Sequence, residues 1–259
     1  MTATRFEIGL GQARYAEGRL EEAYEQCKTL IDSNPDHGYA WELLGLVFRD
    51  RGQFVAAADA LERASLLVPI RTEARIALAT CYANLQRKRL ACELLVALVD
   101  SGQLDIAQLL DVAAHLESMD QPRLAMEACR RASRIDFETA QIHFDMGFYA
   151  ARSGCPPHVS EALTRRAIDL DPANVHYRIG LASLLVRLDR FEEAHHIVAD
   201  ISDSQIQDVT CMCCLERVGN LLQSFGDPQR AQRCRERLRQ LRGEPESTSS
   251  KTDLVWADE

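Results

Sequence analysis

Small residues recur along this chain at a nearly constant spacing. The first series is separated by 34, 34, 34, 34, 35 and 37 residues and consists of Gly11, Gly45, Ala79, Ala113, Gly147, Ala182 and Gly219. A second series lies seven residues later and reads Gly18, Gly52, Gln86, Asp120, Gly154, Asp189 and Gly226. A third lies five residues beyond that and reads Ala23, Ala57, Ala91, Ala125, Val159, Ala194 and Ala231. Three series that move together over seven copies indicate an internal repeat.

Each copy is predicted to form two antiparallel helices joined by a tight turn. Small residues in the first and third series let two helix backbones approach closely, and the second series falls where a helix ends and a turn begins. Prolines after some copies, at Pro35, Pro69 and Pro172, end the second helix. One hairpin cannot bury its own apolar face, so the seven copies must stack to make a continuous core.

Composition agrees with such a fold and disfavours one class of partner. Hydrophobic residues make up 46% of the 259 residues and aromatic residues only 6%, so the core must be built from Leu, Ala and Val. These side chains suit helices that pack closely together. The net charge of -9 argues against binding to a nucleic-acid backbone.

The second copy carries the clearest family resemblance. It reads AWELLGLVFRDRGQFVAAADALERASLLVP from Ala40 to Pro69, with the pattern W-x2-LG-x2-F and then Ala57, Leu61, Ala64 and Pro69. This pattern resembles the tetratricopeptide repeat, and the resemblance extends over residues 4–37, 38–71, 72–105, 106–139, 140–174, 175–208 and 212–242. It implies an all-α, right-handed superhelical solenoid of about seven helix pairs over residues 1–242. The fifth copy departs from the pattern, with one extra residue and GCPPHVSEAL in place of the usual turn.

The resemblance also implies a concave face, lined by the first helix of each pair, that binds a peptide or a partner segment. The residues placed there are Ile8, Glu42, Leu46, Arg49, Ile76, Leu110, Phe144, Phe148, Arg152, Ile179 and Arg187. Most are apolar, which predicts a groove for a hydrophobic or amphipathic segment. The arginines could hold acidic groups of a ligand. The alternative is that these residues line the inner curve or contact the neighbouring repeat.

Catalytic and metal-site patterns are weak. The chain has no G-x-S-x-G, P-loop or H-E-x-x-H signature, so we predict neither an enzyme nor a cofactor. CMCC at residues 211–214, with Cys234 and the pair His195–His196, was weighed as a metal site. Adjacent cysteines on a helix point about 100° apart. We therefore predict small buried residues and no metal there.

Cysteine content and the chain's start favour a cytoplasmic protein. Met1 to Ala16 lacks a basic start followed by an apolar run, and the longest apolar stretches are too short to cross a bilayer. The nine cysteines, an odd number, are then expected to stay reduced.

The C-terminal region contains two unusual segments. The stretch DPQRAQRCRERLRQLRG, from Asp227 to Gly243, places six arginines around one helix, which we interpret as the solvated end of the solenoid. Residues 243–259 form an acidic tail whose composition predicts disorder. Trp256 within it suggests either a plain disordered end or a transient contact with the chain's own solenoid.

The sequence therefore predicts a non-catalytic protein–protein interaction module. Its leading role is an adaptor, scaffold or small chaperone that holds a partner peptide or helix in its groove. The alternative is a regulatory or assembly subunit that docks an enzyme, or itself, through convex or terminal surfaces.

Overall fold

The computed structural model describes residues 2–243, with side chains from residue 7 onward, and this part of the chain is helical without a strand. Its fifteen helices are α1 (Thr2–Ala16), α2 (Leu20–Ser33), α3 (Gly38–Asp50), α4 (Phe54–Leu67), α5 (Thr72–Asn84), α6 (Lys88–Asp100), α7 (Ile106–Ser118), α8 (Pro122–Ile135), α9 (Ala140–Arg152), α10 (Pro157–Leu170), α11 (Val175–Arg187), α12 (Phe191–Val198), α13 (Asp203–Asp208), α14 (Met212–Ser224) and α15 (Pro228–Arg242). Fourteen of them form the seven predicted hairpins, and α13 is an addition. The all-α repeat fold is confirmed. No helix within residues 2–243 combines the length and the apolar character that crossing a membrane requires.

The hairpins divide into two compact units. Among the described residues, the first unit runs to Phe137 and includes 149–154, and the second comprises 138–148 and the residues from Cys155 onward. In the first unit, Leu46 and Leu61 pack with Ala77 and Leu78 in a core of mostly small aliphatic side chains. The buried residues of this core are Leu and Ala with Cys81, so the predicted dominance of Leu and Ala holds here, but valine is not among them.

Every hairpin turn contains one residue in the left-handed backbone region, and it is always the member of the second series. The φ angles are 75° at Gly18, 71° at Gly52, 60° at Gln86, 62° at Asp120, 76° at Gly154, 57° at Asp189 and 79° at Gly226. At the end of α3, the N–H of Gly52 donates to the carbonyl of Arg49 at 2.8 Å, and the N–H of Gln53 donates to that of Phe48 at 2.9 Å. These are the two hydrogen bonds of a Schellman motif, which explains why glycine recurs in this series.

We expect Gln86→Gly to stabilise the protein by about 0.5–1 kcal/mol. A side chain in the left-handed region costs about 1–2 kcal/mol, and glycine removes that cost while adding entropy to the unfolded chain. The urea midpoint should rise for Gln86→Gly. It should stay unchanged for the control Gln86→Ala, which keeps a Cβ at the same φ. A lower midpoint for the glycine variant would contradict this account.

The fifth hairpin corrects one position of the third series. Helix α10 begins three residues after Gly154, whereas the other second helices begin two residues after their left-handed residue. The extra residue therefore lies in the turn, and Ser160 rather than Val159 takes the small-residue place. Ser160 is buried, and a Cβ added at Gly147 would lie 3.1 Å from its carbonyl oxygen.

The sixth copy, predicted over 175–208, contains three helices instead of two. Helix α12 has only 8 residues, and α13 then begins with a capping box in which Ser202 and Gln205 bond each other's backbone N–H groups. Arg230 of α15 donates to the carbonyl oxygens of Val198 at 3.0 Å and Ala199 at 2.8 Å. A guanidinium from a distant helix thus satisfies the carbonyls that the short helix leaves open.

Candidate partner-binding groove

A groove of about 450 Å³ crosses the first helices of the second, third and fourth hairpins in the first unit. Its walls are Arg49 on α3, Glu73, Ile76 and Thr80 on α5, and Gln108, Asp111 and His115 on α7. Spacings of three and four residues place each set on one face of its helix. The groove lies on the first helices, as the repeat resemblance implied. Only Arg49 and Ile76 belong to the residues predicted from the sequence.

The walls of the groove carry more negative charge than positive charge that is available to a ligand. Glu73 forms no ion pair within residues 7–243, and Asp111 Oδ1 lies 3.6 Å from Nε2 of His115. Arg49 already has a carboxylate partner, since its Nε donates to Asp50 Oδ1 at 2.7 Å. The groove therefore presents two carboxylates beside a guanidinium that another carboxylate neutralises.

Hydrogen bonds among Tyr15, Asp50 and Arg49 hold the Arg49 side chain in place. The hydroxyl of Tyr15 donates to Asp50 Oδ2 at 2.7 Å and accepts from a terminal nitrogen of Arg49 at 2.9 Å. Burial, together with the bond to Asp50, raises the pKa of Tyr15 to about 12, so the phenol stays protonated near neutral pH. Arg49 is therefore anchored to the wall of the groove.

Four of the apolar residues predicted for the groove are core residues instead. Ile8, Leu46, Ile76 and Ile179 are all buried, with only the edge of Ile76 reaching the groove. Leu110 is half-buried. They lie on the sides of the first helices that face neighbouring hairpins. Packing between repeats therefore explains why they are apolar. This matches the alternative interpretation of the apolar row.

Glu42, also predicted for the groove, lies inside the first unit. Its side chain is 1% exposed, and its Oε1 accepts from Nε of Arg71 at 2.5 Å. Its Oε2 is buried without a hydrogen-bond partner among the described residues. Glu42 is therefore a structural carboxylate that depends on one arginine.

The two phenylalanines predicted as groove residues have different surroundings in the second unit. The ring of Phe144 packs against Tyr177 with centroids 4.9 Å apart, and a Cβ added at Gly180 would lie 2.6 Å from it. Phe144 therefore fills the space that Gly180 leaves open, a contact that was not predicted from the sequence. Phe148 remains 48% exposed.

The remaining two arginines of the predicted set are both exposed but differ in their contacts. Arg152 pairs with Glu117 and donates to Asp120 Oδ1 at 2.9 Å, so acidic groups of the first unit already occupy it. Arg187 makes no ion pair within residues 7–243. Two of the three predicted arginines, Arg49 and Arg152, are thus paired with carboxylates of the chain itself and are not available to a ligand.

Arginines of the basic helix α15 are likewise paired with groups of the chain itself. Arg233 pairs with Asp203 at 3.3 Å, and Nε of Arg237 donates to the carbonyl of Val209 at 3.0 Å. Together with Arg230, they tie the irregular segment around α13 to the last helix. The proposed contact of Trp256 with this region lies outside the described residues.

Two groups stand out among the nine cysteines. Burial raises the pKa of Cys27 to about 12 and the pKa values of Cys81 and Cys234 to about 11, which leaves these thiols inert. Cys211, Cys213 and Cys214 instead come together at the start of α14, with all three sulfur atoms within 4.8 Å of one another. The sequence interpretation considered residues 211–214 with Cys234 and the pair His195–His196 and rejected a metal site because of their spacing. It missed that Cys211 and Cys214, three residues apart, meet at a helix start.

Comparison with known proteins agrees with this architecture. Residues 8–66 match the sequence model of the tetratricopeptide repeat, a stretch that runs from the middle of α1 almost to the end of α4. The chain has a tetratricopeptide repeat fold. The resemblance inferred from the 34-residue spacing is confirmed.

Solved tetratricopeptide repeat structures superpose on most of the chain. A protein from Parabacteroides merdae matches with a TM-score of 0.67 and 13% identity, over 93% of this chain and 94% of its own. The C-terminal part of a repeat protein from Cytophaga hutchinsonii matches with a TM-score of 0.64 and 11% identity, over 92% and 96%. YrrB, described as a tetratricopeptide repeat protein with an unusual peptide-binding site, matches with a TM-score of 0.55 and 16% identity, over 71% and 90%. At these identities the likeness concerns the fold.

Proposed function

We propose that this tetratricopeptide repeat protein is a non-catalytic interaction module that holds a segment of another protein in the groove of its first unit. The observation that carries the proposal is the groove itself, formed by the inner helices of three successive hairpins. Stacked repeats create extended concave surfaces of this kind, and repeat proteins use them for binding. The peptide-binding site of YrrB, on the same fold, supports a peptide ligand by analogy. Roles as an adaptor, scaffold or small chaperone all fit this mode of binding.

The charges of the groove favour a basic partner segment. Arg49 is neutralised by Asp50, so an acidic ligand group would have to compete with an internal carboxylate. Within residues 7–243 Glu73 forms no ion pair, and Asp111 pairs only with His115. A lysine or arginine of the partner would form charge-assisted hydrogen bonds with these carboxylates. The net charge of -9 would steer such a segment towards the protein.

We expect Glu73→Gln combined with Asp111→Asn to weaken binding of lysine- or arginine-containing peptides by about tenfold or more. Each substitution keeps the side-chain shape and removes a charged acceptor, whose hydrogen bond is worth about 1.5–3 kcal/mol. The probe is an array of extended peptides with one basic residue placed at each position, followed by calorimetry on the best binder. Added salt should weaken wild-type binding and have less effect on the double variant.

A matched control separates the groove from overall charge. Glu25→Gln with Asp59→Asn removes the same charge from exposed positions on the second helices α2 and α4. This variant should bind like the wild type. Equal weakening of both variants would mean that net charge, not the groove, drives binding, and the groove proposal would then fail.

The second candidate function, docking through the convex surface, has one specific observation in its favour. Val55 and Leu66 on the second helix α4 are 61% and 80% exposed, and eleven residues place them on one face of that helix. If Val55→Ser with Leu66→Ser abolishes partner capture while the groove variant retains it, the regulatory or assembly role is the correct one. We further propose a cytoplasmic location, because a chain with nine cysteines and no disulfide within residues 7–243 suits a reducing compartment.

A further inference from the structure

The most unusual chemical feature outside the groove is the cluster formed by Cys211, Cys213 and Cys214. The sulfur of Cys211 lies 3.3 Å from that of Cys213 and 2.9 Å from that of Cys214. Cys211 and Cys213 are exposed, and Cys214 is half-buried. Core packing explains the inert cysteines elsewhere in the chain, but it does not explain two exposed thiols beside a third.

The cluster results from the way α14 begins. Cys211 is the N-cap residue, and Cys213 and Cys214 are the second and third residues of the helix. In a capping box the side chains of the N-cap and third helical residues each reach the other's backbone N–H, which brings the two side chains close together, and here both residues are cysteines. The position is set by the backbone of a 13-residue helix whose Leu215 and Val218 lie in the core of the second unit. Three sulfur ligands are therefore held close together by a fixed element.

From this arrangement we propose that the three cysteines bind one thiophilic closed-shell metal ion, Zn²⁺ or Cu⁺. Sulfur atoms bound to one such ion at about 2.3 Å lie roughly 3.8–4.0 Å apart, so side-chain shifts of about 1 Å complete the set. Binding replaces three thiol protons with three metal–sulfur bonds, the protons pass to solvent, and no atom changes its oxidation state. Two of the ligands face solvent, so the ion has an open route to the site. Zn²⁺ would hold a water as its fourth ligand, whereas Cu⁺ is satisfied by three thiolates.

The electrostatic surroundings favour this occupant. The start of a helix carries a partial positive charge from its open N–H groups, which stabilises negatively charged ligands. Thiolates are soft ligands that select Zn²⁺ or Cu⁺ over Mg²⁺ or Ca²⁺.

The test uses the full chain, reduced and kept free of oxygen so that Cys211 and Cys214 cannot form a disulfide. Zn²⁺ and Cu⁺ are titrated separately against a chromophoric chelator, and the bound ion is examined by X-ray absorption. We expect one ion per chain with three sulfur neighbours at about 2.3 Å, and the fourth neighbour distinguishes the two ions. The bound ion should also raise the melting temperature.

Two variants decide the assignment. Cys211→Ser with Cys213→Ser and Cys214→Ser should lose the bound ion and the rise in melting temperature, and Cys213→Ser alone should weaken binding by more than about tenfold. The control, Cys92→Ser with Cys155→Ser, changes two half-buried cysteines elsewhere and should bind like the wild type. Circular dichroism of every variant verifies the fold. Retention of the ion by the triple variant, fewer than three sulfur neighbours, or no binding by the reduced wild type would overturn the proposal.

Discussion

Arg71→Met is expected to lower the free energy of unfolding by about 3 kcal/mol, a loss typical of a broken buried ion pair. Arg71 provides the only hydrogen bond that the structure gives to the buried carboxylate of Glu42, with Nε 2.5 Å from Oε1. Without it, both carboxylate oxygens would be buried and unpaired. The Arg71 side chain is half-exposed, so its removal costs little by itself. The loss of stability arises from the buried carboxylate of Glu42. Urea unfolding followed by circular dichroism measures the change.

A double variant identifies the origin of that loss. Glu42→Met with Arg71→Met removes both charges, and replacing a buried pair by apolar side chains is often neutral or stabilising. The double variant should therefore recover most of the stability that the single variant loses. If Arg71→Met costs less than about 0.5 kcal/mol, a value usual for exposed ion pairs, Glu42 does not depend on Arg71.

Gly45→Leu should destabilise the protein by about 2–3 kcal/mol, the range for overpacking a tight core. A Cβ at this position would lie 2.5 Å from Cγ of Leu61 and 3.3 Å from the carbonyl oxygen of Ala57. Both contacts belong to α4, so any side chain at Gly45 forces α3 and α4 apart. The urea midpoint should fall, with the slope of the transition unchanged.

Gly9→Leu is the matched control for Gly45→Leu. Gly9 is an exposed helical residue with nothing within 4 Å of an added Cβ, so leucine there should be tolerated and should favour the helix. The contrast between the two variants separates close helix packing from helix propensity. Equal midpoints for Gly45→Leu and wild type would mean that the helix pair tolerates wider spacing than the structure indicates.

The groove was only partly predictable from the sequence. The resemblance to the repeat directed attention to the first helices, and Arg49 and Ile76 do line the groove. Glu73 and Asp111 were not in the predicted set, because the side a helical residue faces depends on how far each hairpin rotates against the next. That rotation is set by packing. Arg49 was predicted to be available to a ligand. Its guanidinium is instead bonded to the adjacent Asp50 and to Tyr15, which is distant in sequence.

The repeat and its turns could be predicted from the sequence alone. Steric limits act on single residues, so the recurring glycines mark left-handed turns, and Gln86, Asp120 and Asp189 could be placed in the same series by spacing alone. Whether a residue tolerates the left-handed region depends on its own side chain, so the positions of the hairpin turns can be predicted from residue type.

Which side chains meet depends on how the helices pack against one another. Glu42 is a structural carboxylate because Arg71 reaches it, and Phe144 is a packing residue because Gly180 leaves room for its ring. Cys211 joins Cys213 and Cys214 because a helix begins at that point. Burial and pairing are properties of several chain segments at once, and the free energy of each contact depends on solvent that other segments exclude. No single stretch of this sequence contains that information.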